Sequence, residues 1–83
     1  MMRIYKHGAI PLSCAPCGVQ LKVVDILARG RGQIRRLMEI GLVPGSTLVL
    51  ISNELGPIII EVKGARFALG RGIANRIMVE VLK

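Results

Sequence analysis

The sequence predicts a mainly β fold, a small barrel of five short strands. One short α-helix is expected between the first and second strands, with helical turns near the N-terminus and before the last strand. Three observations carry this prediction. Apolar residues make up 52% of the 83-residue chain, and most are Val, Ile and Leu; the β-branched ones are stiff at χ1 and suit a pleated surface. The apolar runs are short, the length of buried strands, and none approaches the roughly 18 residues that a bilayer crossing needs. Glycine and proline recur between the runs and punctuate them with turns.

The chain length fits one domain, divided here into an N-terminal tail over residues 1–10 and a folded unit over 11–83. Up to residue 18, Pro11, Pro16 and Gly18 together with two cysteines read as a turn leading into the fold. Val19, Leu21 and Val23 then alternate with Gln20 and Lys22, the period of a half-buried strand, which is expected to run to residue 27. The A-R-G-R-G stretch at 28–32 breaks it. Ile34, Leu37, Met38 and Gly41 follow at i, i+3, i+4 and i+7, with Arg35, Arg36 and Glu39 on the other side, which is a helix signature. Leu37 and Met38 are expected to plug one mouth of the barrel. Gly41 can take the left-handed position that ends a helix, and Pro44-Gly45 turns the chain again.

Residues 47–52 form the second strand, with Thr47, Val49 and Ile51 on one face. A turn at 53–57 leads to a third strand at 58–63, Gly64 marks a tight turn, and 66–69 pairs back as the fourth. Gly70 to Gly72 opens a helical turn through Ala74 and Arg76. The last strand, 77–82, sets Ile77, Val79 and Val81 opposite Met78, Glu80 and Leu82. Five short strands and one helix suit small barrels of both the SH3 and OB type, in which a closed sheet removes exposed edges.

Twelve Lys and Arg against five Asp and Glu give a net charge of +7. That balance favours an acidic partner: nucleic acid, an anionic membrane surface or an acidic protein face. Arg29, Arg31, Arg35 and Arg36 cluster around the loop and helix, with Arg66, Arg71 and Arg76 further on. A guanidinium pairs a carboxylate bidentately, so Arg35 and Arg36, with Leu42 and Val43 as exposed apolar neighbours, are the expected partner-binding residues. Single-strand and RNA barrels stack bases on exposed aromatics. Tyr5 and Phe67 are the only aromatics here, which disfavours nucleic acid.

Catalysis has little to stand on. Asp25 is the only Asp, and no nucleophile, histidine and carboxylate set is apparent. The R-G-R-G run lacks the Lys-Ser/Thr of a phosphate-binding loop. No enzymatic activity is expected, and no cofactor is required. Cys14 and Cys17, in C-A-P-C, have the spacing of two thiolates that share a tetrahedral Zn²⁺ or another borderline metal such as Fe(II). His7 is the one nearby imidazole, so a full ligand set would need a second chain across a two-fold, a homodimer. A redox role and a merely incidental pair are the competing readings. No signal-peptide pattern follows the first residues, so the cytoplasm is the expected compartment.

The stretch R-R-L-M-E-I-G-L-V-P-G-S-T at 35–47 resembles the signature of the FeoA family, an arginine-led helix ending in Leu-Gly-Leu, then Pro-Gly, then a strand. P-L-S at 11–13 followed by G-V-Q-L-K-V at 18–23 agrees with it. So does the tail, with F-A-L at 67–69, Ala74, Ile77 and Val79. The cysteines depart from the polar or charged residues usual in that N-terminal turn. The resemblance covers residues 11–82 and implies an SH3-like barrel, the domain type also found at the C-terminus of diphtheria-toxin-repressor-like metal regulators. It further implies a non-enzymatic accessory of ferrous iron uptake. Its partner would be the cytoplasmic GTPase region of a FeoB-type transporter, which would hold it at the inner face of the cell membrane. The alternatives are a small basic nucleic-acid-binding barrel and a stand-alone metal-sensing domain.

Overall fold

The computed structural model describes residues 8–82. Its elements in order are β1 (Ile10–Pro11), a 3₁₀ turn (Leu12–Cys14), β2 (Gln20–Ile26), α1 (Arg31–Glu39), β3 (Thr47–Ser52), β4 (Ile58–Val62), β5 (Ala65–Leu69), α2 (Arg71–Ala74) and β6 (Ile77–Val81). The fold class is the expected one, with six strands where the sequence pattern showed five. The additional strand, β1, has only two residues, too few to show a period of two. It exists because β6 offers an edge: Ile10 lies opposite Val79 and Pro11 opposite Met78. The sheet therefore takes in Ile10, which the sequence reading placed in the tail.

The strands form one antiparallel sheet in the order β1-β6-β2-β3-β4-β5. The sheet curls around a core but, among the described residues, does not close by hydrogen bonding, because β5 has a neighbour on one side only. Two register shifts, between Val23 and Asp25 and between Leu50 and Ser52, mark bulges in β2 and β3. Bulges bend and twist a strand, which helps a sheet of such short strands to wrap.

One face of each strand from β2 to β6 fills the interior. Leu21 and Val23, Leu48 and Leu50, Ile58, Ile60 and Val62, Leu69, and Ile77 and Val79 are all buried. Leu12 from the 3₁₀ turn, Leu37 from α1 and Ala74 from α2 complete the cluster from outside the sheet. Each fully buried Leu, Ile or Val contributes about 1.5–3 kcal/mol relative to exposure. In β3 the pattern resolves in favour of Leu48 and Leu50; Thr47, exposed, lies on the outer face.

Helix α1 starts inside the A-R-G-R-G stretch rather than after it. Gly30, at φ 84°, serves as its N-cap without a side-chain hydrogen bond. At its other end the Gly41 N–H donates to the Met38 carbonyl at 3.0 Å and the Leu42 N–H to the Leu37 carbonyl at 2.8 Å. This pair of bonds is the Schellman arrangement, and it requires the φ of 95° that Gly41 adopts. A Cβ at Gly41 would also lie 3.3 Å from Cγ1 of Val62. Gly41→Ala is accordingly expected to cost about 1–2 kcal/mol, read as a lower melting temperature with the same folded-state spectrum.

The following loop is held in place from several sides. The Val43 N–H donates to Ser46 Oγ at 3.1 Å, and the Gly45 N–H donates to the Val23 carbonyl at 2.7 Å.

Candidate functional site

Helix α1 sits at the mouth of the barrel and inserts only Leu37 fully. Met38, expected as a second plug, is 58% exposed, and Ile34 is 42% exposed. The barrel mouth accepts one narrow sector of the helix and leaves half of its apolar stripe in solvent. Ile34 and Met38 line a shallow hollow with Arg31, Arg35 and Glu39. The same two side chains continue into a second hollow toward Asp25, Ile26, Val43 and Pro44. The result is an apolar surface formed by Ile34, Met38 and Val43, bordered by Arg31, Arg35 and Glu39 on one side and by Asp25 on the other. Among the described residues neither of these arginines forms an ion pair or side-chain hydrogen bond.

The expected partner-binding set is therefore rearranged. Arg35 and Val43 belong to this surface. Arg36, one residue and about 100° further round the helix, lines a different cleft with Gln33, Leu37, Ile40 and Phe67. Leu42 is not on the surface at all: it is fully buried. The Schellman turn at Gly41 folds the chain back over the barrel mouth, so Leu42 joins Leu37 in the core. Ile34, on the apolar stripe of the helix, and Met38, expected as a plug, take the place that the sequence reading gave to Leu42.

The later arginines divide in the same way. Arg66 faces Glu61 at 3.4 Å in an exposed pair, which contributes about 0–1 kcal/mol. Arg71 is structural. Its Nη1 donates to Asn53 Oδ1 at 2.9 Å and its Nη2 to the Glu54 carbonyl, while Asn53 Nδ2 donates to the Ser13 carbonyl at 2.6 Å. The Ser13 hydroxyl in turn bonds Asn75. This chain of contacts ties the N-terminal turn, the β3–β4 loop and α2 together.

Cys14 and Cys17 are exposed free thiols on the pinned N-terminal turn. No group of three or more potential metal ligands occurs among the described residues, so these two could supply half of a tetrahedral set. His7 lies outside the described residues. Among the described residues, no helix is long and apolar enough to cross a membrane.

Comparison with known proteins gives a consistent result. A family model described as the FeoA domain matches residues 10–81. A protein of Methanocaldococcus jannaschii carrying the name Fe(2+) transport protein A is 46% identical over 70 residues, which is 84% of each chain. The crystal structure of an iron uptake regulatory protein, FeoA, superimposes with a TM-score of 0.80 at 40% identity, covering 92% of this chain and all of that one. A manganese-dependent transcriptional repressor shares the fold at a TM-score of 0.82 and 23% identity, over 96% of this chain and 45% of the repressor. On the match across the whole folded unit and the 46% identity, the chain belongs to the FeoA domain family.

Proposed function

We propose that this protein is a non-enzymatic cytoplasmic accessory of ferrous iron uptake, which binds the cytoplasmic GTPase region of a FeoB-type transporter through the exposed face of α1. Family membership supports the link to iron transport. The observation that carries the binding role is the surface of Ile34, Met38 and Val43 beside two arginines that are unpaired among the described residues. Solvent-exposed apolar side chains that adjoin one another, with charge at their rim, are the composition of a protein interface. Ile34 and Met38 supply desolvation, and Arg31 and Arg35 select an acidic counterpart and speed encounter.

The direct test is an NMR titration of isotope-labelled chain with the GTPase region of the cognate transporter. Shifts are expected at residues 31–43, and their midpoint should move to higher concentration as salt is raised, because the arginine contribution is screened. Shifts that fall elsewhere, or none at saturating partner, would refute this assignment of the face.

A further inference from the structure

A second surface lies on the opposite flank of α1, away from Ile34 and Met38. Among the described residues strand β5 ends the sheet, with β4 on one side and no strand on the other. Alternate residues along Ala65–Leu69 thus present N–H and C=O groups to an open rim, and no turn or loop backbone of the described residues bonds to them. Between this rim and α1 runs a cleft of about 290 Å³, walled by Leu37, Ile40 and Phe67 and carrying Gln33 and Arg36 as its polar members. That volume lies just below the roughly 300–1,000 Å³ of small-molecule sites, and it suits a few side chains better than a whole cofactor.

Two details inside the cleft point to a guest. Oε1 of Gln33 is buried and accepts no hydrogen bond among the described residues. A buried acceptor without a donor is uncommon, because its desolvation is uncompensated. Among the described residues Arg36 likewise has no ion-pair partner, and none of their carboxylates lines the cleft. The site thus offers backbone groups along one side, an apolar wall, a spare acceptor and a spare cation.

We propose that β5 accepts an extended peptide segment of a partner protein as an added strand. The segment would carry an apolar side chain against Leu37 and Phe67 and, two residues along on the same face, a carboxylate against Arg36. The spacing follows from strand geometry, since residues i and i+2 point the same way. Strand addition supplies main-chain hydrogen bonds for affinity, and the alternate side chains supply selection. Gln33 Oε1 accepts from a donor of the guest. Charge chooses the partner's chemistry: with +7 on each copy, an acidic segment is favoured over a second copy of this chain.

The test uses the labelled full chain and two capped octapeptides of alternating valine and threonine. One carries a glutamate two residues from the central valine, and the other carries lysine at that position. The glutamate peptide is expected to shift amides at residues 65–70 and the Gln33 side-chain amide while leaving Ile34 and Met38 unmoved. Arg36→Glu should weaken that peptide about tenfold and allow the lysine peptide to bind in its place. Gln33→Leu, which removes the orphan acceptor, should weaken the peptide while stabilising the free chain.

No shift with the glutamate peptide up to about 2 mM, enough to read an affinity near 1 mM, overturns the proposal. Equal binding of the two peptides, shifts on the Ile34 and Met38 face, or dimerisation of the chain through β5 would overturn it as well. The probe is synthetic, so this result and that of the transporter titration stand or fall separately.

Discussion

Leu42→Ala is expected to lower stability by about 2–5 kcal/mol, whereas Val43→Ala should change it by no more than about 0.5 kcal/mol. The two residues are adjacent and similar in sequence terms, and the contrast comes entirely from where the turn at Gly41 sends them. Leu42 is fully buried in the same cluster as Leu37, Val62 and Ile60; Val43 is 38% exposed. Removing three carbon atoms from the former leaves a cavity under the barrel mouth. Domains of this kind have only about 5–15 kcal/mol in total, so the variant should show a clearly lower urea midpoint with an unchanged slope. A Leu42→Ala protein as stable as the parent but unable to bind its partner would instead make Leu42 a contact residue and would contradict its burial.

The double variant Arg35→Glu with Met38→Asp is expected to lose about 100-fold or more in affinity for the transporter region while melting within about 0.5 kcal/mol of the parent. Met38 is the most exposed apolar side chain of the surface beside α1, and a carboxylate there removes the apolar contact and adds a charge that must be desolvated. The reversal at Arg35 turns attraction toward an acidic counterpart into repulsion. Arg36→Glu provides the internal control. It changes net charge by the same amount as Arg35→Glu, but Arg36 faces the other cleft, so its effect on this contact should be confined to the weaker, salt-screened part. Comparable losses from both single reversals would show that net charge, rather than the face of α1, governs binding.

Much of the architecture could be read from residue pattern. Alternation located β2, and the β-branched runs located β3, β4 and β6, because in each case burial on one face leaves a period in the sequence. Gly41 was legible for a different reason: a left-handed helix end all but demands glycine. The misplaced residues share a cause. A period of 3.6 reveals that Ile34, Leu37 and Met38 form a stripe, but it says nothing about how wide the covering surface is. The mouth of a six-stranded barrel covers Leu37 and leaves its neighbours out.

Leu42 follows a glycine and precedes Val-Pro-Gly, so it belongs to no repeating element and carries no periodic signal; only the turn geometry assigns it to the core. The pairing of Arg35 with Arg36 failed on the same helical arithmetic, since consecutive residues point about 100° apart. Arg71 looked like one more surface cation, because its partners, Asn53 and Glu54, are 18 and 17 residues away.

The place of β6 in the sheet has a bearing on biosynthesis. It is the last of the described strands, yet it lies between β1 and β2, and Ile10 near one end of the described chain pairs with Val79 near the other. Chains emerge from the ribosome N-terminus first, so β1 has no sheet to join until residues 77–81 are outside the tunnel. Until then β2 keeps an open flank, and among neighbouring strands only β2–β3, β3–β4 and β4–β5 can pair. Pairings this distant in sequence slow folding. The nascent domain should therefore remain sensitive to protease until residues 77–81 have left the tunnel, then become resistant in a single late step.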